Sequence, residues 1–165
     1  SIENVVIENV RTRIVDSGNT VRLLCGDGYA VKNIHVRNVV SLPGCIGAAT
    51  VCLGNARRYA TELPSADRFT DITIRSLHRA ADGAGRLIYI DSPLGRLDIR
   101  DASITGAFDD VIRHEDGAGT VDSLSITGLR VDGTPRRTGP LFYQGDRINR
   151  FTCDDWVVSS VGVDL

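Results

Sequence analysis

The chain has 165 residues, 42% of them hydrophobic and 24% charged, with a formal net charge of -2. That length supports one domain whose core needs neither metal nor disulfide, and its hydrophobicity and low net charge exclude a disordered chain. Near-neutral charge excludes the basic excess of a nucleic-acid binder, and no run of about 18 apolar residues supplies a membrane-spanning helix.

Methionine is absent, and 17 glycines stand against 5 prolines. The glycines predict many tight corners. The missing initiator predicts a fragment or C-terminal part of a longer protein.

In chain order, the first element is a cassette, Asn4-Val5-Val6-Ile7-Glu8-Asn9-Val10. It recurs as Asn33-Ile34-His35-Val36-Arg37-Asn38-Val39 and as Asp71-Ile72-Thr73-Ile74-Arg75-Ser76-Leu77. Weaker copies begin at Arg96, Ser123 and Arg150. Each copy alternates apolar with polar, the period of a strand with one buried face. The closing Asn, Asp, Ser or Gly before an apolar residue predicts a corner that returns the chain to the core. Val5, Ile34, Ile72, Leu97, Leu124 and Phe151 are then equivalent positions. They recur at roughly 25 to 30 residues except for one longer step. That step contains residues 55–67, with Pro64 and several polar residues, and predicts a loop insertion.

A second strand-like run follows each of the first five copies, at 21–25, 49–53, 87–91, 111–115 and 141–145. Paired strands at a near-constant interval predict an all-β parallel solenoid of about six coils, filling residues 1–165 as a single domain. A β-sandwich also has short strands and regular turns, but gives no reason for the repeated cassette. Six coils at about 4.8 Å make a rod about 29 Å long, with two ends that need cover. Ser1 leads straight into a strand, so the rod is expected to continue upstream or pack end-on against something else.

With Val5, Ile7 and their equivalents inward, the residues between them form outward columns. One reads Val6, His35, Thr73, Asp98, Ser125, Thr152, and the next Glu8, Arg37, Arg75, Arg100, Thr127, Asp154. Three arginines in successive coils repel one another unless counter-charged. Their planar forks suit carboxylate or sulfate groups, which makes His35, Arg37, Arg75, Asp98 and Arg100 candidate contacts for an acidic polysaccharide. The bland reading is a solvated edge neutralised by Asp98, Glu8 and salt.

The second runs, such as Leu87-Ile88-Tyr89-Ile90 and Leu141-Phe142-Tyr143, read as apolar on both faces. Such strands are covered on both, either by loops or by a neighbouring copy, and a homotrimer of rods would satisfy this. The densest acid–base cluster is Asp109, Asp110, His114 and Glu115. Paired carboxylates are what glycoside hydrolysis needs, which makes these four the candidate catalytic residues. A polar turn around a strand explains the same residues, and two adjacent aspartates in a strand would face opposite ways. Asp27, between Gly26 and Gly28, reads as a turn acid. Cys25, Cys45, Cys52 and Cys153 lack metal-ligand spacing; they read as buried thiols, or as a bridge from Cys45 to Cys25 or Cys52. No metal or cofactor is expected.

Residues 18–39, from Gly18-Asn19-Thr20-Val21-Arg22-Leu23-Leu24 through Asn33-Ile34-His35-Val36-Arg37-Asn38-Val39, resemble coils of the pectin-lyase-like right-handed β-helix superfamily. They look most like its polygalacturonase-type glycoside hydrolases and bacteriophage tailspikes. The resemblance implies a right-handed parallel β-helix and an extracellular or virion-surface location. It also implies that Arg22 matches the arginine of an Arg-x-Lys substrate motif, with Leu24 in place of the lysine. Asp109, Asp110 and His114 follow that motif rather than precede it, so the resemblance places the catalytic coils before Ser1. The expected function is therefore recognition of a host or extracellular polysaccharide by a tailspike-like or cell-surface module. The alternatives are a polysaccharide hydrolase or uronate lyase, whole or truncated, and a purely structural solenoid.

Overall fold

The computed structural model describes residues 1–54, 56–136 and 139–159. In chain order the strands are β1 (Ile2–Thr12), β2 (Asn19–Leu23), β3 (Val31–Cys45), β4 (Ala49–Gly54), β5 (Phe69–Asp82), β6 (Arg86–Asp91), β7 (Leu94–Phe108), β8 (Ile112–His114), β9 (Val121–Pro135), β10 (Phe142–Gln144) and β11 (Phe151–Val158). A single helical turn, α1 (Ala56–Tyr59), lies between β4 and β5. The odd-numbered strands stack into a six-stranded sheet and the even-numbered strands into a five-stranded one. All pairings are parallel and join successive coils. The fold is a parallel β-solenoid of about six turns. Among the described residues no helix is long and apolar enough to cross a membrane.

The register of the large sheet is the one the cassette predicts. Val5 pairs with Ile34, Ile34 with Ile72, Ile72 with Leu97, Leu97 with Leu124, and Leu124 with Phe151. Ile34, Ile72, Leu97 and Leu124 are all buried in one core cluster with Ile88, Ile90 and Ile112 of the small sheet. Neither sheet therefore has a core of its own, and each coil is stabilised by its neighbours. At the two ends Val5 and Ile7 are half-buried and Phe151 and Trp156 are exposed.

The corner is set by backbone chirality. Asn9, Asn38, Ser76, Asp101, Gly128 and Asp155, one per coil, adopt φ of 58°, 50°, 57°, 56°, 74° and 52°. A left-handed residue breaks the two-residue alternation, so two successive side chains point outward before the next apolar residue turns in. Arg37 and Asn38 are exposed between buried Val36 and Val39, and Arg100 and Asp101 between buried Ile99 and Ala102. Asn and Asp tolerate this conformation because short polar side chains bond locally. Asn38 donates to Asn9 Oδ1 at 2.8 Å, and Asn33 to Asn4 Oδ1 at 2.5 Å. Because every coil bends at the same position, the hydrogen-bond ladder runs through the corner. The long strands are consequently about twice the length of the cassette.

The small sheet differs from the expectation of strands apolar on both faces. Val21, Val51, Ile88, Ile112 and Phe142 form one inward column, and Leu23, Leu53, Ile90 and His114 another. Leu87 and Leu141 are buried at the strand entrances. The outward column between these is Arg22, Cys52, Tyr89, Arg113, Tyr143. It is amphipathic rather than apolar. All four cysteines are free thiols, and Cys25, Cys45 and Cys52 are buried.

A buried arginine, which the sequence did not announce, braces the turns that enter β4 and β6. Arg79 is 1% exposed, and its Nη2 donates to Gly47 O at 2.6 Å and to Ala84 O at 3.0 Å. It answers carbonyls that turns otherwise leave unpaired.

Candidate functional site

The first part of the small sheet's outward column, Arg22, Cys52 and Tyr89, forms the floor of a groove of about 700 Å³. Arg22, Tyr89 and Glu115 line it from the strands and their ends, with Arg86 at the entrance of β6 and the Arg58–Tyr59 turn as a wall. The wall comes from the insertion after β4, and Asp27 holds that insertion in place. Asp27 Oδ1 accepts from Thr61 N and Thr61 Oγ1 at 2.7 Å each and from Glu62 N at 3.0 Å. Asp27 N donates to Glu62 O at 3.2 Å, and the Arg68 guanidinium donates to Gly28 O. The Thr61 hydroxyl, then the two backbone amides, keep the Asp27 carboxyl below the usual aspartate range. The turn acid of the sequence is thus the anchor of the groove wall.

Arginines and tyrosines are stacked along the outer face of the small sheet, in the groove and beyond it. The Arg22 and Arg58 guanidinium carbons each lie 5.6 Å from the Tyr59 ring centroid, and Arg22 Nη1 donates to the Tyr59 hydroxyl at 3.4 Å. Arg86 sits 5.7 Å over Tyr89, and Arg113 sits 4.2 Å over Tyr143. Cation–π contacts of this kind fix the planes of both groups. Tyr143 Oη donates to both oxygens of Asp116, at 3.1 and 3.0 Å.

Arg113 Nε donates to Glu115 Oε2 at 2.8 Å, and that bond leads the causes that hold the Glu115 carboxyl below its ordinary range. Burial pushes the Tyr89 hydroxyl up, with Asp91 and Glu115 adding to the effect. Tyr89 therefore presents a neutral donor and Glu115 an ionised acceptor at neutral pH. Glycoside hydrolysis needs a carboxylic acid that still carries its proton. Glu115 is in the opposite state and is suited to accepting ligand hydroxyls.

The four expected catalytic residues do not converge. Asp109 and Asp110 lie in the turn before β8, not in a strand, and both are drawn to Arg86. Asp110 takes the Arg86 fork on both oxygens and lies 3.8 Å from Arg113 Nη1. Asp109 Oδ2 accepts from Gly85 N at 2.9 Å, and its other oxygen is 4.0 Å from Arg136 Nη1. His114 points into the core, fully buried, with Nε2 2.8 Å from Gly119 O. Burial lowers its pKa and keeps the ring neutral. Glu115 alone of the four lines the groove.

The expected binding residues divide between the two sheets. Arg22 lines the groove, whereas His35, Arg37, Arg75, Asp98 and Arg100 occupy the outer face of the large sheet, in the columns predicted. Arg100 is held by Asp98, with Nε and Nη2 at 3.1 and 2.8 Å from Oδ2. Arg37 and Arg75 are exposed, and no ion pair forms at either among the described residues. Sequence reasoning missed Arg58, Tyr59, Arg86, Tyr89, Arg113 and Tyr143. Aligning the second strands on their inward residues, Val21, Val51, Ile88, Ile112 and Phe142, would have placed three of them, Tyr89, Arg113 and Tyr143, in one column.

Among the described residues no three His, Cys, Asp or Glu side chains gather as a metal site. Searches with the chain find no matching family model, curated protein or solved structure.

Proposed function

We propose that the chain is a glycan-recognising β-solenoid module and that the groove over the small sheet is its binding site. The observation that supports this reading is the groove's lining: flat tyrosine rings beside fixed arginine forks and the ionised Glu115. A pyranose ring has apolar faces and a rim of hydroxyls. Rigid aromatic planes with convergent polar groups suit both. Arg22 and Arg58 have no carboxylate partner among the described residues, which favours a sugar bearing a carboxylate or sulfate. The resemblance of residues 18–39 to pectin-lyase-like coils agrees with an extracellular or virion-surface setting. The homotrimer that strands apolar on both faces call for loses that support, because the outer column of the small sheet is amphipathic.

The test is a glycan array probed with the wild-type chain and with Tyr89→Ala. Retention of acidic glycans by the wild type, weakened by about tenfold in the variant, supports the reading. Equal retention by both removes the groove as the site. Release of reducing or unsaturated ends from any bound polymer would turn the reading to a hydrolase or lyase.

A further inference from the structure

The corner of the large sheet carries a second cluster of chemistry-bearing side chains, on a different face from the groove. Five of the six corner positions hold Asn, Asp or Gly, residues at home in a left-handed conformation. The sixth is Ser76, at φ 57°. Its Oγ lies 3.1 Å from His78 Nε2, within the range for a nucleophile and its base. The other ring nitrogen, Nδ1, lies 2.7 Å from Ser103 Oγ on the next coil. With Ser103 accepting from Nδ1–H, Nε2 keeps the lone pair that can take the Ser76 proton. Asp101 Oδ2 stands 3.7 Å from Nε2, where it faces the imidazolium formed by that transfer. Ser76, His78 and Ser103 are half-buried rather than sealed, so a substrate can reach them. Arg75, the residue before Ser76, is exposed and forms no ion pair among the described residues. It brings a cation to the corner for charge that develops on a carbonyl oxygen.

We propose that Ser76 and His78 form a nucleophile–base pair that takes acyl groups from esters, with Ser103 as the positioning residue for the imidazole. Ser76 Oγ bonds to the ester carbonyl carbon as its proton passes to His78 Nε2. The C–O bond to the alcohol then breaks, and His78 returns that proton to the departing oxygen. Water next attacks the acyl-Ser76 carbonyl and gives its proton to His78; the carboxylic acid leaves and Ser76 is restored. Register explains why the pair is hard to see in sequence: Ser76 and His78 are two residues apart, but Ser103 reaches them only because His78 pairs with it across coils.

The experiment uses the full chain, p-nitrophenyl acetate and a fluorophosphonate probe, with peptide mass spectrometry to locate the label. The expected result is turnover above background and one phosphonate on Ser76. Ser76→Asn installs the residue that Asn38 already provides one coil earlier, so it keeps the corner while removing the nucleophile. It should lose both turnover and label. His78→Gln should slow labelling by about a hundredfold, within the range for general-base catalysis. Ser103→Ala should slow it several-fold and Ser103→Thr should restore it. Absence of label on Ser76, or turnover in Ser76→Asn equal to wild type, overturns the proposal. The small ester probes need no glycan, so failure of the groove as a sugar site has no bearing on this result.

Discussion

The two sheets of the solenoid obey the same stacking rule and present opposite kinds of surface. On the large sheet the outward columns are open, and Arg37, Arg75 and Arg100 follow one another along the stack. On the small sheet the outward column is interleaved, Arg22, Cys52, Tyr89, Arg113, Tyr143, and an insertion anchored on Asp27 closes its side. A shared core makes both surfaces rigid. Among the described residues the insertion walls the small sheet, and walls convert a ladder of side chains into a site.

The strongest disturbance of this comparison should come from the core that joins the two sheets. Leu97→Ala, in a fully buried position, should cost about 2–5 kcal/mol. Denaturant unfolding should then show both sheets lost in one shifted transition; two separate transitions would show independent sheets. Asn38→Ala strikes only the large sheet. It removes the bond to Asn9 and puts alanine at φ 50°, for a loss of about 2 kcal/mol with groove affinity unchanged.

The converse is Asp27→Gly, which tolerates the φ of 51° and should shift the unfolding midpoint less than Asn38→Ala does. It frees the 56–62 wall, so hydrogen exchange there should rise while groove affinity falls about three- to tenfold through lost preorganisation. Unchanged exchange would show that Asp27 is not the anchor.

The smallest expected effect is a pH dependence from His114. Its folded pKa is depressed by burial, while the unfolded ring titrates near about 6.5. Below that value the unfolded chain binds a proton that the folded chain refuses. Stability should therefore be complete above about pH 6.5 and decline as pH falls toward the folded value. His114→Leu matches the aliphatic neighbours Leu23, Leu53 and Ile90 in its column and should flatten the slope.

The large sheet was legible because its information is local and repeated. Each cassette carries its own alternation and its own corner residue, so aligning Val5 with Ile34 and Ile72 already gives the register. The groove was legible only in fragments. Arg22 and Glu115 stood out as charges, but Tyr59 belongs there because Thr61 bonds Asp27, which lies 34 residues before Thr61 in sequence. Tyr89 and Tyr143 read as apolar covering until their strands were set in register with Arg22. Asp109 and Asp110 attracted a catalytic reading as a pair, whereas their positions answer Arg86, 24 residues from Asp110. Charge partners across coils leave no mark in a single cassette.

The most direct test of the account is an amide NMR titration of the full chain with an acidic oligosaccharide retained on the array. Binding in the groove should move Arg22, Tyr59, Tyr89 and Glu115 and leave His35, Arg37 and Asp98 still. Shifts concentrated on His35, Arg37 and Asp98, with the small sheet silent, would contradict it.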